Sequence, residues 1–487
     1  MAEIPAFICT PKPLKLPVGV GTFSELVREG HTFVDKTLMI REVVNTGAKV
    51  TLITRPRRFG KTLNLSMLQH FFAAEVAGQP TQDLFENLAI AQHPDILAHQ
   101  GQYPVIFLTL KDCKQENFDD FIQAYRKTVS ELCMGYLELP ESSHLLEQQK
   151  RNLQALISEE TNLSHLGGAL KFLSQLLYQH HKQPVYIFID EYDTPIHTAY
   201  DYGYYNELIK FMRGVLGPAL KDNPYLHRAL MTGVLRVAKE GLFSDLNNLN
   251  VATLVDREYS QYFGFTEAEV NRLLPESGVL TKPGDIAAAK DWYNGYRYGD
   301  QIIYNPWSII RCLHTRGELR PHWVNTSGNV LLRKLLAEAG ADFKQEMETL
   351  LRQGSSTQLI DPYLVFSDLG RSGMTLWGLL LFSGYLSPLS VRYDGLQLQC
   401  ELVIPNREIA YLFENIVRTW FTDPMGEKSY RRFLDCLVTG NLEEFRLRLE
   451  DYLLESASAF DPGQRHPEKF YHGLVLGLIA SLRSTHA

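Results

Sequence analysis

The stretch Val50–Thr62, VTLITRPRRFGKT, constrains the fold more than any other part of the chain. Val50, Leu52 and Ile53 are apolar and Thr51 and Thr54 are β-branched, which is the composition of a strand. Arg55-Pro56 ends it, because proline cannot donate to a ladder. Gly60-Lys61-Thr62 then opens a helix whose apolar residues recur at helical spacing: Leu63, Met67 and Phe71, with Leu68 and Phe72 beside them. Strand, tight loop, Gly-Lys-Thr and helix is the setting in which a loop binds phosphate. Backbone amides and the helix N-terminus face the anion. Lys61 reaches the β- and γ-phosphates, and the Thr62 hydroxyl is a Mg²⁺ ligand. Arg57, Arg58, Phe59, Gly60, Lys61, Thr62 and Leu63 are therefore the candidate nucleotide contacts. The pattern departs from G-x-x-x-x-G-K-[ST] at its first position, where Arg55 stands. The plainer alternative is a basic strand-to-helix turn with no ligand.

A second stretch, Pro184–Asp193, PVYIFIDEYD, argues for the phosphate reading. Val185, Ile187, Phe188 and Ile189 make a near-continuous apolar run, as in a strand buried on both faces. It ends in Asp190-Glu191, at the strand end where open α/β sheets bind ligands. Asp190 is the candidate second holder of Mg²⁺. Glu191 is the candidate general base that orients the attacking water. A solvated acidic strand end is the alternative.

Several long stretches resemble one family, the bacterial and archaeal AAA-ATPase-like proteins, P-loop ATPases related to the archaeal and STAND-type ATPases. They are LPVGVGTFSELV, HTFVDKTLMI, TRPRRFGKTLNLSML, FIDEYDTPI, MTGVLRVAKEGLFSDLNNL, YFGFTEAEV, DWYNGYRYG, IYNPWSII and WVNTS, in order over most of residues 16–327. RPRRFGKT is the family's own form of the loop, so Arg55 fits it. The resemblance implies ATP as ligand, with Mg²⁺. It also implies that Thr232, at the end of the strand His227–Val234, senses the γ-phosphate. Arg236, just beyond, is then a candidate cis arginine finger, with a surface ion pair as the alternative. Asp35 and Lys36 of VDKT lie either near the base or ribose or in an ion-paired surface turn. Ser244, Asn247 and Asn248 order a loop beside the site or make an ordinary turn. Arg57 and Arg58 are suited to phosphate or to a partner protomer, since a guanidinium pairs bidentately with oxyanions.

At 487 residues the chain has room for two or three domains. Its net charge of −8 argues against a nucleic-acid footprint over the whole surface, leaving a local basic groove as an open possibility. Six scattered cysteines form no C-x-x-C pair, so neither a disulfide framework nor a zinc site is indicated. Reduced thiols in a cytoplasm are the simplest reading. The N-terminus has no apolar signal core, and runs such as Leu376–Phe382 are too short to span a bilayer.

Strands alternating with helices predict a doubly wound parallel sheet over residues 16–265. The expected elements include a strand at Tyr103–Leu110 and a helix at Tyr204–Leu216, stopped by Gly217-Pro218. Thr266-x-x-Glu269 is a capping box that opens a second region, 266–390. The resemblance makes this region a mainly helical, winged-helix-like lid. Its aromatic clusters, Asp291–Tyr296 and Tyr304–Ser308, read as small-domain core in preference to a stacking surface for bases. Residues 391–487 read as mostly helical after a strand at Leu396–Ile404. Glu468–Leu474 resembles the first helix of a PD-(D/E)xK nuclease-like domain that many family members carry. The sequence ends at Ala487, before the expected Asp and Glu-x-Lys strands, so no nuclease activity is expected of it. Self-association is a further expectation, since an arginine supplied in trans requires it.

Overall fold

The computed structural model describes residues 7–8, 14–236, 242–243, 248–323, 335–336, 339–361, 373–394, 397–425 and 427–457. Ser244, Asn247, the VNTS of WVNTS and the Glu468–Leu474 helix lie outside them.

The apolar runs form one five-stranded sheet. Its strands are β1 (Val50–Thr54), β2 (Val105–Thr109), β3 (Val185–Asp190), β4 (Leu226–Gly233) and β5 (Leu249–Ala252). They lie in the order β2-β3-β4-β1-β5, and every neighbouring pair is parallel. All residues of β1 and β3 are buried. Alternation along β3 splits its side chains between two cores. Ile187 and Ile189 join Leu52, Met231, Leu173 and Met212 on one face. Tyr186 and Phe188 join Ile53, Leu230, Leu65 and Leu68 on the other. Helices therefore cover both faces, as a parallel sheet requires. Truncating Ile187, which is fully buried, to alanine would cost about 2–5 kcal/mol in lost burial and cavity formation.

The helices that matter for the site are α1 (Met39–Asn45), α2 (Lys61–Phe72), α3 (Thr194–Tyr202) and α4 (Tyr205–Leu220). The sequence reading stops α4 before Gly217-Pro218; instead the helix runs through both. Pro218 falls in the last turn, where the bond it removes is a single one to the small Gly214, so the cost is tolerated. Strand β5 was not anticipated. It is four residues long and gains its stability from pairing alongside β1.

Beyond the sheet, β6 (Phe265–Thr266) leads through α5 (Glu267–Glu276) and α6 (Pro283–Tyr293) to the hairpin of β7 (Tyr296–Tyr298) and β8 (Gln301–Tyr304), then α7 (Pro306–His314). The three short strands form an antiparallel sheet ordered β6-β8-β7. The Thr266–Glu269 capping box forms as the spacing requires. Tyr293, Tyr296, Tyr298 and Tyr304 are fully buried, so the aromatic clusters are core.

The later region differs from the helical expectation. After α8 (Ala341–Gln353), strand β9 (Ser355–Ile360) pairs with a hairpin that follows α9 (Gly373–Phe382). That hairpin, β10 (Ser387–Asp394) and β11 (Gln397–Val403), runs across the boundary expected at residue 390. Helices α10 (Arg407–Met425), α11 (Glu427–Val438) and α12 (Leu442–Ala457) follow.

Two buried charges fasten these regions together. Lys36 Nζ donates to both oxygens of Glu269, at 2.6 and 2.7 Å, and to the Gln261 carbonyl at 2.7 Å. Asp35 accepts from the Thr37 amide and hydroxyl and from the Ala89 amide. VDKT is thus a buried joint to α5, and the surface-turn alternative fails. Glu408 of α10 accepts from the Ser308 hydroxyl and from the His322 and Trp323 amides.

Candidate nucleotide-phosphate site

The site forms where β1, β4 and β3 end side by side. Ile53 is level with Thr232 and Thr54 with Gly233, while Ile189 is level with Met231. Strand β4 therefore separates the Lys61 loop from the Asp190 strand and presents Thr232 between them.

The loop after β1 turns twice through left-handed backbone, at Arg58 (φ 69°) and Gly60 (φ 81°). Gly60 caps α2, and among the described residues no side chain satisfies its first amides. That leaves the donors and the positive end of a twelve-residue helix facing the loop. Arg57 and Arg58 are exposed, whereas Phe59 is buried against Tyr296 and Tyr298.

Arg55 does not line the cradle. Its side chain is fully buried. Nη1 donates to the carbonyls of Thr54 (2.8 Å) and Ala252 (3.0 Å), and Nη2 to that of Glu258 (3.1 Å). The guanidinium also lies over the rings of Phe263 and Tyr298. Its φ is not in the left-handed region, so the position does not demand glycine. Burial pulls its pKa down to about 10, against the raising effects of Tyr298 and Asp256.

Lys61 is 8% exposed. Its Nζ donates to the carbonyls of Arg55 (2.9 Å) and Pro56 (2.8 Å). Burial lowers its pKa to about 8, although Asp193, Asp190 and Glu191 oppose the shift. Among the described residues no carboxylate lies within ion-pair distance of it.

Asp190 sits between two hydroxyls. Thr62 Oγ1 donates to Oδ2 and Thr232 Oγ1 to Oδ1, both at 2.6 Å. The structure thus brings together Lys61, Thr62, Asp190 and Thr232, drawn from three separate stretches of sequence. Thr62 and Asp190 supply hard oxygens of the kind Mg²⁺ takes. Among the described residues no group of three or more His, Cys, Asp or Glu forms a cation cage. One carboxylate and one hydroxyl, completed by phosphate oxygens and water, is a usual arrangement for Mg²⁺.

Glu191 takes a left-handed backbone, φ 53°. Such a conformation costs a non-glycine residue on the order of 1–3 kcal/mol, and it concentrates at functional positions. Thr194 Oγ1 donates to Glu191 Oε2 at 3.0 Å.

Tyr192 and Asp193 were not singled out in the sequence. Asp193 Oδ2 accepts from the amides of Val234 (2.7 Å) and Leu235 (2.9 Å) and faces His197 Nε2 at 3.3 Å. Burial would raise its carboxyl; the bonds from His197 and these amides outweigh that and lower it. Tyr192 OH donates to the Leu235 carbonyl at 2.6 Å. Gly233 is pressed so close that a Cβ would lie 2.6 Å from the Tyr192 ring and 2.8 Å from Asp193. These residues clamp the turn that carries the chain from Thr232 to Arg236. The sequence signal for Asp193 was the third acid of DEYD, matched with Thr-Gly at a strand end.

Residues 17–243 match the model of a family described as AAA-ATPase-like, "Predicted AAA-ATPase". Over this segment the chain is similar to that family. The chain is also 27% identical over 417 residues to a protein of Azotobacter chroococcum mcd 1 described as "Uncharacterized protein in vnfD 5'region". That match covers 84% of this chain and 71% of the relative. No solved structure matches the chain. Among the described residues no helix is long and apolar enough to cross a membrane.

Proposed function

We propose that the chain binds and hydrolyses ATP with Mg²⁺ and uses the cycle as a conformational switch. The observation that carries this reading is the Thr62–Asp190–Thr232 bridge beside Lys61. Lys61, buried and held by neutral carbonyls, can exchange them for β- and γ-phosphate oxygens, a charge-assisted pairing. The open amides of α2 receive the same phosphates. Mg²⁺, held by Thr62 and Asp190, would offset negative charge on the transferring phosphoryl group. Glu191 orients the attacking water and takes its proton. Thr232 reports the γ-phosphate to Asp190 through their shared bond. The Asp193 clamp delivers Arg236 to the same end of the sheet, where it is our candidate for stabilising transition-state charge.

The proposed units are 16–265 as the ATPase core, 266–390 as the lid and 391–487 as a third region, with the β9–β11 sheet shared across the last boundary. The succession β6, α5, α6, β7, β8, with β6 paired to β8, supports a winged-helix-like lid.

A second reading, a nucleotide-gated binding protein with little turnover, is favoured by one contact. The Thr194 hydroxyl donates to the Glu191 carboxylate, a bond that competes with one from water. Phosphate release from Mg·ATP separates the two readings. Turnover that is lost in both Lys61→Ala and Glu191→Gln supports hydrolysis. ATP binding without turnover in the wild type supports the gate.

A further inference from the structure

Two tryptophans of the lid reach the phosphate loop. Trp307, near the start of α7, is fixed by its Nε1–H bond to the His322 carbonyl at 3.2 Å. The Arg58 guanidinium lies over the same ring, 4.4 Å from its centre. Arg311, one turn along α7, approaches that ring at 5.7 Å. Next to Arg58 in sequence, the Arg57 carbonyl accepts from Trp323 Nε1 at 3.1 Å.

We infer that Trp307 is a positioning residue that seats Arg58 in the nucleotide-free chain, and that bound phosphate draws Arg58 off the ring, so that the lid registers occupancy of the loop. This rests on the phosphate-site reading given above.

The geometry leaves the Arg58 side chain as the part that moves. The Trp307 ring is held by His322. The loop backbone is held by Trp323 and by Phe59, which is lodged against Tyr296 and Tyr298. Arg58 is exposed, and among the described residues no carboxylate pairs with it. A guanidinium over a partly exposed ring is held weakly. The same fork on a phosphate makes two charge-assisted bonds, so phosphate wins the competition. Arg311 sharpens the exchange. Two guanidinium groups on one ring repel each other, and Arg311 remains in place when Arg58 leaves. The outcome is that α7 loses its Trp307 tie to the loop, while the tie from Trp323, which lies beyond α7, persists.

The test uses the full chain labelled with 5-fluorotryptophan, read by fluorine NMR. The chain has five tryptophans, and Trp307→Phe identifies the Trp307 resonance by its loss. Mg·ATP binding is followed in parallel by calorimetry. The inference expects the Trp307 resonance to move by more than its linewidth on saturation. It also expects Arg58→Ala to show the displaced position without nucleotide, and to move little when nucleotide is added. ATP that binds while the Trp307 resonance stays in place overturns the inference and leaves the phosphate site standing. An unchanged Trp307 resonance in Arg58→Ala also overturns it, because Arg58 then does not seat there. No binding by calorimetry overturns both this inference and the site reading.

Discussion

Lys36 and Lys61 are equally buried, each 8% exposed, yet they are held in opposite ways. Lys36, in the joint to α5, is matched by a full carboxylate, Glu269, and a carbonyl. Lys61 in the loop rests on two neutral carbonyls. Both have a pKa lowered chiefly by burial. A buried charge that is saturated serves the fold; one held by exchangeable partners is available to a ligand. The same contrast separates two carboxylates. Glu408 accepts two amides and a hydroxyl from elements it ties together. Asp190 accepts two hydroxyls, which a cation can displace.

The largest expected effect that would break this contrast is catalytic. Glu191→Gln should lower phosphate release from Mg·ATP by about 10²–10⁴-fold while ATP still binds by calorimetry. Next is stability at the joint. Glu269→Ala strands Lys36 and should cost about 3–5 kcal/mol in urea unfolding, with the lower end favoured because Lys36 can shed its proton. A loss below 1 kcal/mol would mean that this pair is not saturated in the way described.

The pH dependence sharpens the comparison further. Lys61 titrates near 8 in the folded chain and near 10.5 when free of it. Between those values the unfolded chain holds the extra proton, so this group makes stability rise with pH. Below about pH 8 its penalty is constant, on the order of 3 kcal/mol. Lys61→Met removes it, so the stability advantage of that variant over wild type should narrow from pH 8 to pH 10.5 in unfolding curves. An advantage that widens would reverse the assigned sign. The smallest effect is at Trp323. Trp323→Phe deletes the bond to the Arg57 carbonyl and should cost about 1 kcal/mol of stability, read as a small shift in the urea midpoint.

The parallel sheet was legible because its strands are buried on both faces and their apolar runs say so, as in Val185–Asp190. That Lys61, Thr62, Asp190 and Thr232 lie together was legible because Gly-Lys-Thr follows one buried strand while Asp190 and Thr232 end two others. Strands β9 and β10 were not: SSTQLI has no apolar alternation, the alternating Leu389 and Tyr393 of SPLSVRYD are exposed, and both strands depend on β11 between them. The role of Arg55 was hidden for a different reason. Its partners are carbonyls of Ala252 and Glu258, far along the chain, and carbonyls carry no sequence signature. Asp193 was hidden likewise, since it binds backbone amides of Val234 and Leu235.

The most direct test of the central claim is the shift in melting temperature caused by Mg·ATP, compared between wild type and Lys61→Met. A ligand that binds the folded chain alone must raise its melting temperature. The account predicts a clear rise for wild type and none for Lys61→Met, whose own melting temperature without nucleotide equals or exceeds that of wild type. An equal rise in both proteins would contradict it, because Lys61 would then not be the lysine held ready for phosphate.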